Sequence, residues 1–189
     1  MIQNKEVEDK IRKCLASNFS KFEDKTCSLE KFADEISLDS LEYAKDDYLK
    51  YCLYESMRIE PPVPFTSGFI ITENLDIGRY KIRAGDHLIA NITKLHHLVD
   101  QWGEDHNRYK PERFAERAKH HPMSFMPFIA GKRVCAGKTF AENSMKVVFP
   151  LIMKAFSTFE FVDKDLYTMK PANNVLLSNR PEIFIKVKV

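Results

Sequence analysis

The apolar positions of this chain change period three times along its length, and each change marks a change of element. From about residue 5 to 16, Val7, Ile11, Cys14 and Leu15 recur at helical spacing, with Asn4 placed to cap the start. A second, short helix follows Ser28, where Leu29, Phe32, Ala33 and Ile36 make an apolar stripe. A third runs from about Asp46 to Arg58 and stops at Pro61-Pro62, since proline cannot continue a helix. The period then shortens: residues 69–72, 77–82 and 87–90 read as short strands, with turns at 73–74 and 83–86. From about 99 to 126 the chain is polar and irregular and carries Pro111 and Pro122. The helical period returns at 138–156, where Pro150 is expected to kink the helix or end it early. At the tail, Ile183, Ile185, Val187 and Val189 alternate with Phe184, Lys186 and Lys188, a strand with one apolar face. The fold class is mixed α+β, mainly α.

Composition narrows the picture modestly. At 189 residues, the span 1–189 suits a single unit with its own core. A net charge of +2 from 29 basic and 27 acidic residues gives no global field toward nucleic acid. Cys14, Cys27, Cys52 and Cys135 are scattered, with no CxxC pair, as for free thiols in a reducing compartment. No membrane segment is expected, because the most apolar window, 147–153, is seven residues long and contains a proline. Nor does the start of the chain carry an apolar signal region. His96-His97 and His120-His121 are adjacent pairs, an awkward spacing for a shared metal, and read as solvent-facing or hydrogen-bonded histidines.

The candidate chemistry concentrates in Phe128-Ile129-Ala130-Gly131-Lys132-Arg133-Val134-Cys135-Ala136-Gly137. One thiol stands between two glycines, beside two cations and directly ahead of a long helix. A thiolate there faces the positive end of that helix, surroundings that favour the ionised sulfur, which is the form that ligates metals. Gly131 and Gly137 remove side chains where a flat ligand would have to approach the backbone. Taken alone, a cysteine in a glycine turn is most simply a packing residue. Two further motifs precede it. Glu55 and Arg58, at i and i+3, share one face of the third helix and can pair, although an isolated pair of this kind is ordinarily a weak surface ion pair. Pro61-Pro62-Val63-Pro64 follows, and then Tyr109-Lys110-Pro111-Glu112-Arg113-Phe114, with Arg113 falling 55 residues after Arg58.

In this order, Glu-x-x-Arg, Pro-Glu-Arg-Phe and Phe-x-x-Gly-x-Arg-x-Cys-x-Gly resemble the helix-K, meander and cysteine-loop signatures of the cytochrome P-450 family. The resemblance runs from about Asn4 to Val189 and covers the C-terminal part of that fold: helices J and K, the meander, the Cys loop, helix L and small β-sheets. It implies haem b (iron protoporphyrin IX), with Cys135 as axial iron ligand and catalytic thiolate. Phe128 would shield the sulfur, Arg133 would meet a haem propionate, and Gly131 and Gly137 would complete the cofactor-binding loop. Glu55, Arg58 and Arg113 would form one buried network behind the haem, while Val63, Phe65, Thr66 and Leu176 would line the substrate pocket. The implied reaction inserts one oxygen atom from O2 into an apolar small-molecule substrate, with electrons from an NADPH-linked reductase. Lys132, Lys138 and Lys146 would offer that reductase a positive face. Full-length relatives sit on the cytosolic face of the endoplasmic reticulum membrane; the chain as given reads as soluble and cytoplasmic. The resemblance departs from the family at Gly68, where a basic residue is frequent, and at His97, where arginine is. The family's acid-Thr helix and membrane anchor lie outside these residues. A non-catalytic truncated fragment and a haem-thiolate isomerase or dehydratase therefore stay open.

Overall fold

The computed structural model describes residues 4–37, 39–40, 46–116, 120–161 and 185–188, which form a mainly helical fold with small antiparallel sheets. Helix α1, Lys5–Asn18, begins where the Asn4 side chain accepts the Val7 N–H, and it buries Val7, Ile11, Cys14 and Leu15. Helix α2, Leu29–Ala33, is capped by Ser28 and buries only Phe32; Leu29 faces solvent. Helix α3, Tyr48–Ile59, turns Leu49, Cys52, Glu55, Met57 and Arg58 inward. The core forms where α1, α2, α3 and Met153 of the last helix meet, with Phe19, Phe22 and Phe32 stacked edge-on or tilted at its centre.

Among the described residues three two-stranded sheets form: β1 (Phe69–Ile70) with β4 (His87–Leu88), β2 (Leu75–Ile77) with β3 (Tyr80–Ile82), and β5 (Thr158–Phe161) with β6 (Ile185–Lys188). The run 77–82, expected as one strand, is instead the bend of a hairpin. Ile77 pairs with Tyr80, and Gly78 takes φ 58° at the first position of the two-residue loop, where a tight hairpin turn requires glycine. In β6 the alternation is present, but Ile185 and Val187 are exposed.

The irregular stretch packs more tightly than its polarity suggests. Helices α4 (Ile92–Leu95) and α5 (Val99–Trp102) and the 3-10 turns Pro111–Phe114 and Pro122–Ser124 bury Trp102, Arg113, Phe114 and Ser124. Tyr54, Trp102, Phe114 and Phe125 make a second aromatic cluster there. Helix α6, Lys138–Ala155, passes through Pro150 without ending. Proline removes a single donor from the ladder, and Pro150 is itself buried, so packing holds the turns on either side.

Candidate haem-ligand site

Glu55 is fully buried on α3 and collects four N–H groups. Arg58 Nε and Nη2 donate to its two oxygens at 2.7 and 2.8 Å, a bidentate fork. Arg113 Nε donates to Oε1 at 3.1 Å, and the Lys110 backbone N–H donates to the same oxygen at 2.9 Å. The guanidiniums spend their remaining donors on backbone: Arg58 on the His96 carbonyl at 2.9 Å, and Arg113 on the Trp102 and Asp105 carbonyls at 2.9 and 2.8 Å. Asp105 also pairs with Arg113 through its side chain at 3.0 Å, and that bond holds its carboxyl below the usual carboxylate range. The Arg58 guanidinium lies over the Trp102 ring, 5.0 Å from its centroid. Helix α3, the Pro111–Phe114 turn and the segment from His96 to Asp105 are therefore clamped around one carboxylate, far from solvent rather than on a surface.

The same turn is tied to α1 by a contact that no motif announces. Glu112 accepts Lys10 Nζ at 2.8 Å and the Tyr48 hydroxyl at 3.1 Å. Burial opposes ionisation of Glu112, but these bonds hold its carboxyl below the usual range.

The cysteine loop closes on itself. The Cys135 N–H donates to the Phe128 carbonyl at 2.9 Å, Val134 to Gly131 at 3.2 Å, and Lys138 to the Cys135 carbonyl at 3.2 Å. Gly131 adopts φ 73° and Ile129 adopts φ 62°. For a β-branched residue the latter is a real outlier, of order 1–3 kcal/mol, and strain of this kind tends to gather at functional loops. Cys135 is exposed two residues before the Gly137 cap of α6, an 18-residue helix whose first turn holds no acidic residue and no side-chain cap. A side chain added at Gly137 would meet Cys135 Sγ at 3.7 Å. Lys132, Arg133 and Lys138 are exposed around it, Lys146 is half-buried further along α6, and Phe128 is half-buried. Val134 and Phe140, one residue before and five after Cys135 in the chain, are exposed, Phe140 with 78% of its area.

These residues suit haem: a soft thiol donor, exposed basic side chains for carboxylates, and exposed apolar side chains for a flat macrocycle. All four cysteines are free, and burial pushes the thiols of Cys14 and Cys52 up to about 11 and about 12, leaving them as core residues. Among the described residues no cluster of three or more His, Cys, Asp or Glu side chains could hold a separate metal ion.

The remaining candidates are dispersed. Val63 is exposed, Phe65 half-buried and bridged to Asn91, and Thr66 buried with its hydroxyl accepting the Ala90 N–H at 3.0 Å. Leu176 lies outside the described residues. His97 bonds the Thr93 carbonyl at 2.8 Å, and His120 bonds the Gln101 carbonyl while stacking on Trp102. His96 is wholly buried and hydrogen-bonded, its Nε2 accepting the Met126 N–H at 2.9 Å, the second of the two placements expected for it. Among the described residues no helix is long and apolar enough to cross a membrane.

Comparison with known proteins assigns the class. The family model for cytochrome P450 matches residues 1–187, and the chain belongs to the cytochrome P450 family. It is 33% identical over 138 residues to cytochrome P450 714A2 of Arabidopsis thaliana, covering 71% of this chain and 26% of that protein. Against 7-deoxyloganic acid hydroxylase of Catharanthus roseus it is 37% identical over 127 residues, 63% of this chain and 24% of the relative. It is also 31% identical over 133 residues to the bifunctional cytochrome P450/NADPH–P450 reductase 1 of Bacillus subtilis (strain 168), covering 67% of this chain and 12% of that protein. The chain thus spans about a quarter of the length of the two plant relatives. Family membership implies a haem cofactor and its iron.

Proposed function

We propose that residues 1–189 form one unit, the C-terminal haem-ligand part of a haem-thiolate monooxygenase. In this reading α1 corresponds to helix J, α3 to helix K, the Pro111–Phe114 turn to the meander and α6 to helix L. The observation that carries it is Cys135: an exposed thiol at the uncapped N-terminus of α6, in a loop bent at Gly131 and flanked by Lys132 and Arg133.

Cys135 would be the axial ligand of haem b. Bound in this way, the group supplies activation of O2 and oxygen-atom insertion, which an electron-rich thiolate favours. The chain's own residues do the rest. Backbone N–H groups at the start of α6 would face the sulfur's charge, and Gly137 would keep its approach open. Arg133 would pair with a propionate, and Phe128 would cover the sulfur from water. Glu55, Arg58 and Arg113 would hold the scaffold behind the loop. Val63, Phe65, Thr66 and Leu176 would face an apolar substrate, and Lys132, Lys138 and Lys146 an acidic NADPH-linked reductase, on the endoplasmic reticulum surface for the whole enzyme.

Haem titration followed by Soret absorbance tests the reading. Saturable one-to-one binding by the wild-type chain, weakened at least about tenfold in Cys135→Ala, supports it. Equal binding by both would leave a truncated, non-catalytic fragment as the better account.

A further inference from the structure

His96 stands where the buried carboxylate network and the cysteine loop meet. It closes α4 and is wholly buried, its ring 5.2 Å from that of Phe125. Its backbone carbonyl accepts Arg58 Nη1 at 2.9 Å, while its ring Nε2 accepts the Met126 N–H, also at 2.9 Å. That second bond assigns the lone pair to Nε2 and the proton to Nδ1. Met126 in turn opens the loop: its carbonyl accepts the Ile129 N–H at 3.1 Å, and the Phe128 carbonyl accepts the Cys135 N–H at 2.9 Å. One residue therefore grips Arg58 with its main chain and Met126 with its side chain.

We infer that His96 is a positioning residue for the cysteine loop, its neutral imidazole seating Met126, and through it the Ile129 turn and Cys135, on the Glu55–Arg58–Arg113 network. Two observations support this beyond the bond itself. Ile129 holds a left-handed backbone that a β-branched residue keeps only where its neighbours over-determine it, and the tether lies three residues upstream. Burial, with the Arg58 charge adding to it, pushes the imidazole down to about 4, so the accepting lone pair persists at neutral pH. That the loop carries the working thiol rests on the function proposed above; the tether does not, and it is tested without haem.

The test is amide hydrogen exchange by NMR on the full chain, comparing wild type with His96→Gln and His96→Asn. Glutamine places its carbonyl oxygen near the position of Nε2, asparagine near that of Nδ1. The expected result is exchange faster by about tenfold at Met126, Ile129 and Cys135 in the asparagine variant. Protection should be largely retained in the glutamine variant, with Ile11 and Leu15 of α1 unchanged in both. Unchanged protection at Met126 in the asparagine variant overturns the inference. So does a loss confined to Met126, an equal loss in both variants extending to α1, or failure of both to fold, which would make His96 a core residue only. The haem-thiolate reading stands or falls separately, on the spectra of the wild-type chain.

Discussion

Removing the Glu55 carboxylate is the most demanding perturbation this structure offers. Glu55→Ala deletes the acceptor of four N–H groups and leaves Arg58 and Arg113 facing each other across the gap, both buried. Stranding a buried charge by removing its partner costs about 3–5 kcal/mol; here Arg58 loses its carboxylate partner, while Arg113 keeps only Asp105, at the edge of the network. Against a domain stability of about 5–15 kcal/mol, that is a large share. With a urea slope of about 2 kcal/mol per M, the unfolding midpoint should fall by about 2 M, read by far-ultraviolet circular dichroism. Glu55→Gln keeps one acceptor and should fall by about half as much. Asp47→Ala serves as control: its pair with Lys50 is 3.7 Å long and exposed, worth about 0–1 kcal/mol. A midpoint shift below about 0.5 M in Glu55→Ala would refute the reasoning, because a carboxylate removable at that cost is not holding two buried guanidiniums.

Further outcomes follow from single sites. His96 has a folded-state value of about 4 against an ordinary 6.5, so the unfolded chain binds more protons between those values. Stability should be full above pH 6.5 and fall as pH drops toward 4, by about 3 kcal/mol, with half-buried His97, also lowered by burial, adding to the slope. Urea midpoints from pH 7 to 4 should show that slope in wild type and a shallower one in His96→Gln, and equal slopes would count against it. Gly131→Ala forces a side chain into φ 73° and should cost about 1–2 kcal/mol by urea unfolding. Gly137→Ala, at ordinary φ and with van der Waals room, should leave stability within about 0.5 kcal/mol while weakening haem binding beside the sulfur. Trp102→Ala empties the centre of the second aromatic cluster and should cost about 3–5 kcal/mol by the same assay.

Helix starts were the most legible part of the fold, because their signals are local. Asn4 and Ser28 each accept an N–H three residues on, and neither needs a tertiary partner to do so. The strand misread at 77–82 shows the limit of periodicity: Tyr80 and Ile82 alternate with Arg79 and Lys81 well enough, yet Gly78 sits in a conformation that reverses the chain. Pro150 does not end α6, since its local penalty says nothing of the core that surrounds it. At the site, the i, i+3 spacing of Glu55 and Arg58 announced a pair. Its burial depends on Trp102 and Arg113, far along the chain, and no spacing encodes that cover. His96 and the Lys10–Glu112–Tyr48 contact were illegible for the same reason, each being a meeting of segments that share no motif.

The claim on which the account turns is that Cys135 presents its sulfur to haem iron. The most direct measurement is the absorption spectrum of the haem-reconstituted chain, reduced and saturated with carbon monoxide. The account predicts the strongly red-shifted Soret band of a thiolate-ligated haem in the wild-type chain and its disappearance in Cys135→Ala. A wild-type spectrum of the histidine-ligated kind, or one that Cys135→Ala leaves unchanged, would contradict it.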